Sequence, residues 1–282
     1  MDCGLYKAEL RRKDIQDALG RLAIEASRYG MHFGPSKCKV LVQDWQGSVP
    51  AFILGGAALD VVDNFVYLGS CITAGGCIGD EIAVRIAKAR LAFANLKHFW
   101  RRHDSHLSLK GRIYSAVVRA VLLYGCETWP VYAEGVHRLS VFEHLCLRSI
   151  AYIWWQQHVS NEEVRRRVLG IDSRSLPELI SLHWLRWLGH VLRMPTHRLP
   201  QRALLAPPGS GWKKQRGGQP MTWRRGVKKE TSVLARVGSS RLPGWGPKDN
   251  ENRWLMTLGD MAQNRSQWRA CCLVCCGKNC TL

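Results

Sequence analysis

The chain has 282 residues, 46% of them hydrophobic, and a formal net charge of +19 from 41 Lys and Arg against 22 Asp and Glu. That length allows one large domain or two ordinary ones, the apolar content excludes wholesale disorder, and the charge calls for an acidic partner, either nucleic acid or an anionic membrane surface. The longest apolar run, Ala116 to Tyr124, is too short to span a bilayer and carries Arg119, so no membrane insertion is expected.

The N-terminal stretch MDCGLYKAELRRKD has no apolar h-region. It therefore reads as an intracellular protein, nuclear or cytoplasmic, whose 11 cysteines are thiols and not disulfides. From Lys7 to Tyr29 the apolar positions Ile15, Leu19, Leu22, Ala26 and Tyr29 recur every three or four residues, which predicts an amphipathic helix stopped at Gly30. Gly34-Pro35 marks a turn. Short strand-like runs follow at Lys39 to Gln43, Ala51 to Leu54 and Phe65 to Leu68, and a small sheet ending at Gly69 accounts for them.

From Asp80 the pattern is helical. Asp80 can cap a segment whose stripe is Ile82, Ile86, Phe93, Leu96 and Trp100. Ser105 or Ser108 opens a helix running to Gly125, and a third covers about Val136 to Trp154. Ser160-x-x-Glu163 and Ser175-x-x-Glu178 match the capping-box pattern and predict helices ending at Gly170 and Met194. Two further helices are expected at Met221 to Val237 and Asn252 to Arg269, separated by Pro-Gly turns. The fold class is α+β, a small antiparallel sheet followed by helices.

The most informative stretch lies between Glu178 and Glu230, which encloses no acidic residue but holds eleven Lys and Arg and four Trp. A soluble surface normally mixes both signs of charge, and cations interleaved with aromatic rings suit a phosphate backbone with bases to stack on. The candidate nucleic-acid-binding residues are Trp212, Lys213, Lys214, Arg216, Trp223, Arg224, Arg225, Lys228 and Lys229. Trp184 and Trp187, three apart beside Leu185, Leu188 and Leu192, read instead as a buried helical stripe.

Laid side by side, several blocks resemble the downstream part of a non-LTR retrotransposon reverse transcriptase of the RTE type. They are ALGRLAIEASRYGMHFGPSKCKV, NFVYLGSCI, DEIAVRIAKARLAF to KGRIYSAVVRAVLLYGCETW, HWLRWLGHVLRM, GWKKQRGGQPMTW and RLPGWGPKDN. The resemblance implies that residues 1–75 are the end of a polymerase palm, 76–206 a helical thumb and connection, and 207–282 a basic Trp-rich tail. It implies that Lys37 and Lys39 lie in a motif near the incoming nucleotide, and that Tyr67, Leu68 and Gly69 belong to a primer-grip-like hairpin. Arg85, Lys88 and Arg90 would face the template-primer backbone. Position 184 departs from the pattern, with Trp where many relatives have Arg.

Polymerisation needs carboxylates that hold two divalent metals, and the resemblance implies a Tyr/Phe-Ala-Asp-Asp turn for that purpose. No Asp-Asp pair occurs in the chain, and Asp60 and Asp63 flank Val61-Val62 with no second acidic cluster nearby. No catalytic residue is therefore assigned. No cofactor or metal is expected for this chain, although the intact family enzyme uses magnesium. The expected partners are RNA, DNA or an RNA–DNA duplex. Cys272, Cys275, Cys276 and Cys280 offer four thiols, but one short run without His reads as a frayed tail and not as a zinc site. A stand-alone nucleic-acid-binding protein and a non-functional retroelement remnant are the alternatives to a truncated reverse transcriptase segment.

Overall fold

A computed structural model describes residues 3–42, 51–67, 69–73, 78–129, 133–171, 173–205, 223–236, 242–246, 248–250 and 252–276. It is mostly helical with three small two-stranded sheets, the α+β class expected from the sequence. The chain divides into two compact units, Met1–Val84 and Arg85–Leu282.

The first unit opens with α1 (Cys3–Arg28). Gly30 ends it as expected, at φ +71°, where a residue without Cβ lets the Met31 amide reach back to the Ala26 carbonyl at 3.0 Å. Six short strands follow: β1 (Lys39–Val40), β2 (Ile53–Leu54), β3 (Ala57–Ala58), β4 (Asp60–Val61), β5 (Asn64–Tyr67) and β6 (Ser70–Thr73). β2 pairs antiparallel with β3 and β5 with β6, whereas β1 and β4 are parallel, so the expected single antiparallel sheet is three separate pairs.

Gly69 does not close the sheet. It lies at φ +83° between Tyr67 and Ser70, which pair across the hairpin, and β6 follows it; a residue without Cβ takes this left-handed conformation without strain. Phe52, Leu54 and Leu59 form a small core against Leu19 and Ala23 of α1 and against Cys38 and Val40. The Gln16 side chain joins α1 to β2, donating to the Ile53 carbonyl at 2.7 Å and accepting from its amide at 3.0 Å.

In the second unit the helices are the latter part of α2 (Ile78–Asn95), then α3 (Lys97–Trp100), α4 (Leu107–Ile113), α5 (Ala120–Leu122), α6 (Ala133–Ala151), α7 (Asn161–Leu169), α8 (Leu176–Leu192), α9 (Leu199–Leu205), α10 (Trp223–Glu230), α11 (Arg253–Gln263) and α12 (Arg265–Cys275). A wider π-helical turn, Tyr114–Arg119, joins α4 to α5. One capping box forms in full, at Ser175, whose amide donates to Glu178 at 2.8 Å, whereas at Ser160 only the cap forms: its hydroxyl accepts from the Glu163 amide at 3.2 Å while the Glu163 carboxylate accepts from Arg166 and Arg167.

α8 is the hub, because nine of its positions are buried, Leu176, Ile180, Trp184, Leu188 and Val191 among them. α6, α10, α11 and α12 all pack on it. Close approach to α12 depends on Gly189, since a Cβ there would lie 2.1 Å from Trp268 Nε1, which donates to the Leu185 carbonyl at 2.9 Å.

Two expectations change at the C-terminal end. The single helix over 252–269 is two helices broken at Asn264, whose side chain accepts from the Ser266 and Gln267 amides and caps α12. The cysteines from 271 to 276, read as part of a frayed tail, form the last turn of α12. Cys272 and Cys276 are 3% and 5% exposed because they repeat, at four-residue spacing, the buried face of Trp268.

Candidate nucleic-acid interface

The acid-free stretch is seen in the structure chiefly through α8, α9 and α10. On α10 the pattern WRRGVKKE gives two faces. Gly226 and Val227 are buried, Arg225 and Lys229 are exposed four residues apart, and Arg224 and Lys228 flank them half-buried. Arg224 Nη2 donates to the Asn252 side chain at 2.6 Å, and the Lys228 carbonyl accepts from the Trp245 indole at 3.2 Å. The charged edge of α10 is therefore fixed in place by its neighbours. Trp212, Lys213, Lys214 and Arg216 lie outside the described residues.

Trp223 occupies a different place from the one its basic neighbours led us to expect. It is half-buried, donates from Nε1 to the Glu127 carbonyl at 3.0 Å, and meets Trp187 edge-on with ring centroids 5.5 Å apart. Trp184 lies beside it at 6.2 Å. With its N–H bonded to the Glu127 carbonyl and its ring against Trp187, this indole anchors α10 to α8.

In the first unit, Lys37 is exposed at the end of the short turn Pro35–Lys37. Lys39 pairs across β1 and β4 with Asp60, which takes up the charge proposed to lie near a nucleotide. Tyr67 is 57% exposed at the tip of the β5–β6 hairpin, stacked at 6.4 Å on Phe65, with Gly69 making the turn. Leu68 lies outside the described residues. In the second unit Arg85 is buried, its guanidinium 4.5 Å from the Tyr124 ring centroid, so it packs inside the helical unit instead of facing a backbone.

One aromatic pair escaped the reading of the sequence. Trp154 and Trp155, just past α6, are 67% and 75% exposed. They follow Tyr152, which donates to the Trp100 carbonyl at 2.9 Å and stacks on His103 at 5.1 Å. This joins the Trp pair to the basic turn Arg101-Arg102-His103, which Lys110 holds by donating to the Trp100 and Arg102 carbonyls at 2.8 and 2.6 Å. Adjacent large apolar residues beyond the end of a helical stripe were the signal available for them.

Inside the second unit a carboxylate and a guanidinium are paired away from solvent. Glu143 is 1% exposed on α6 and accepts from Arg119 Nε at 2.8 Å. Arg119 Nη2 lies 2.7 Å from the same oxygen but too far off line for a second hydrogen bond. Burial pushes the Glu143 carboxyl above its ordinary range, with Arg119 opposing only in part. Burial likewise raises the thiols of Cys126, Cys146 and Cys272, so none of them is a thiolate nucleophile on its own.

The chain is 25% identical over 249 residues to an uncharacterized transposon-derived protein of Caenorhabditis elegans, covering 85% of this chain and 87% of that protein. The likeness supports a transposon-related origin. No family model and no solved structure matches the chain. Among the described residues no helix is long and apolar enough to cross a membrane.

Proposed function

We propose that this chain is a segment of a non-LTR retrotransposon reverse transcriptase that binds RNA, DNA or their hybrid and does not itself polymerise. The reading rests above all on the stretch from Glu178 to Glu230, with eleven cations and no acid. Within it, Arg225 and Lys229 face outward on a helix pinned to the core through Trp223. A rigidly mounted cationic edge grips phosphates at little entropic cost, and the exposed Trp154 and Trp155 offer stacking faces for unpaired bases. The transposon-derived relative supports the retroelement context.

A polymerase would need paired metal-binding carboxylates, and the sequence has no Asp-Asp pair. Asp60 is held by Lys39. A second reading, a nucleic-acid-binding protein that acts without polymerising, rests on the same acid-free stretch.

Fluorescence anisotropy with labelled single-stranded RNA, single-stranded DNA and hybrid oligonucleotides tests the binding. With about six to ten phosphates engaged, affinity falls about 10³- to 10⁵-fold between roughly 50 and 200 mM salt. Joint replacement of Lys213, Lys214, Arg216, Arg224 and Arg225 by Ala flattens that slope. A slope left unchanged removes the tail as the binding surface, and magnesium-dependent extension of a primer by the purified chain overturns the claim that it cannot polymerise.

A further inference from the structure

Gly125, Cys126 and Glu127 follow the π-helical segment and α5, and form the start of the tight turn Cys126–Thr128. Gly125 has φ +76°, a left-handed conformation that redirects the chain there. Thr128 Oγ1 donates to the Gly125 carbonyl at 2.9 Å. Two indoles then hold the next two carbonyls: Trp184 Nε1 donates to Cys126 O at 2.8 Å, and Trp223 Nε1 to Glu127 O at 3.0 Å. The backbone beneath Cys126 and Glu127 is thus fixed at three consecutive carbonyls by side chains from three different places in the fold.

His183, one residue before Trp184 on α8, turns its Nδ1 toward this turn, 3.2 Å from Glu127 Oε1. Among the described residues Cys126, Glu127 and His183 are the group whose ligand atoms, a thiol sulfur, a carboxylate oxygen and an imidazole nitrogen, all lie within 4.8 Å of one another.

We propose that Cys126, Glu127 and His183 bind a zinc ion. Bonds of about 2.0–2.3 Å in tetrahedral array place ligand atoms roughly 3.3–3.8 Å apart, so rotation of these side chains closes the set while the turn and α8 stay where they are. A sulfur and an imidazole nitrogen favour zinc over magnesium or calcium, which take oxygen ligands. Cys126 is fully buried, while the Glu127 and His183 side chains are 32% and 38% exposed, so the ion enters from solvent along the carboxylate and imidazole. Three protein ligands leave a fourth position for water or an incoming group. The zinc would staple the turn after α5 to α8, and through the Trp223 bond would brace the helix carrying Arg225 and Lys229. The proposal stands on its own geometry and does not depend on nucleic-acid binding.

The decisive measurement is cobalt(II) titration of the full chain after chelation, followed by displacement with zinc. The expected result is a thiolate-to-cobalt charge-transfer band in the near ultraviolet, saturating at a single equivalent and removed by zinc. Cys126→Ser and His183→Asn abolish the band, while joint replacement of Cys271, Cys272, Cys275, Cys276 and Cys280 by Ser leaves it intact. His183→Asn changes a partly exposed side chain, so a native far-ultraviolet circular dichroism spectrum for this variant separates ligand loss from unfolding. No band in the folded parent chain overturns the proposal. So does a band that survives both ligand variants or vanishes with the C-terminal cysteines.

Discussion

Gly111 offers a sharp test of how the helical unit is assembled. It lies on α4 where that helix meets α7, and a Cβ built on it would sit 1.9 Å from the Val168 carbonyl oxygen and 2.8 Å from its carbon. Real Cβ atoms essentially never come closer than 3.0 Å, so the helices would have to separate by roughly 1 Å. The obstacle is backbone, which no rotamer change relieves, and Val168 is itself 1% exposed. Overpacking of this kind costs about 3 kcal/mol, at the upper end of the usual range. Alanine's better helix propensity returns about 1 kcal/mol, leaving Gly111→Ala about 2 kcal/mol less stable. At about 2–4 °C per kcal/mol for a unit of this size, Tm falls by roughly 4–8 °C. Gly259 on α11 is the control, because its Cβ would meet nothing within 4 Å. Gly259→Ala is expected to gain about 0.5–1 kcal/mol and raise Tm by about 1–4 °C. Thermal melts followed by circular dichroism read both. If Gly111→Ala raises Tm as Gly259→Ala does, the close contact between α4 and α7 is refuted.

Two further perturbations probe the same unit. The buried Glu143 has a raised pKa, so the folded chain holds this proton more tightly than the unfolded chain. Its contribution to stability is present below the ordinary carboxylate range and is lost as pH climbs through the raised value. Glu143→Gln keeps the hydrogen bond from Arg119 without the charge, and its Tm relative to the parent should improve as pH rises above the ordinary carboxylate range; a difference that does not change with pH would show that Glu143 titrates normally. Asn264→Ala removes the side chain that accepts from the Ser266 and Gln267 amides and should cost about 1 kcal/mol, with the loss seen in hydrogen exchange at the start of α12; unchanged exchange there would show that the cap is idle.

What the sequence revealed and what it hid divide along range of interaction. The stop of α1 at Gly30 and the starts of α7 and α8 at Ser160 and Ser175 are written in residues within four positions of one another, and each was legible. The parallel pairing of β1 with β4 was not, because Lys39 and Asp60 lie 21 residues apart and two-residue strands carry no readable alternation. Trp223 makes the point most directly for function. Its neighbours are Arg and Lys, so composition placed it on a binding surface, yet its partner is a carbonyl 96 residues away. The same long-range economy brings His183 to Glu127 across 56 residues, a meeting that no spacing rule could have found.

Anchoring and exposure are therefore separate tasks within one short helix. Trp223 and Val227 commit α10 to the core, and that commitment leaves Arg225 and Lys229 pointing outward in a fixed spacing. Trimming Trp223 to Ala would consequently weaken nucleic-acid binding without removing a single charge. That loss would have to be read beside Arg225→Ala, which leaves the anchor intact. If Trp223→Ala unseats α10 and binding is nonetheless unaltered, the edge of α10 is not part of the grip.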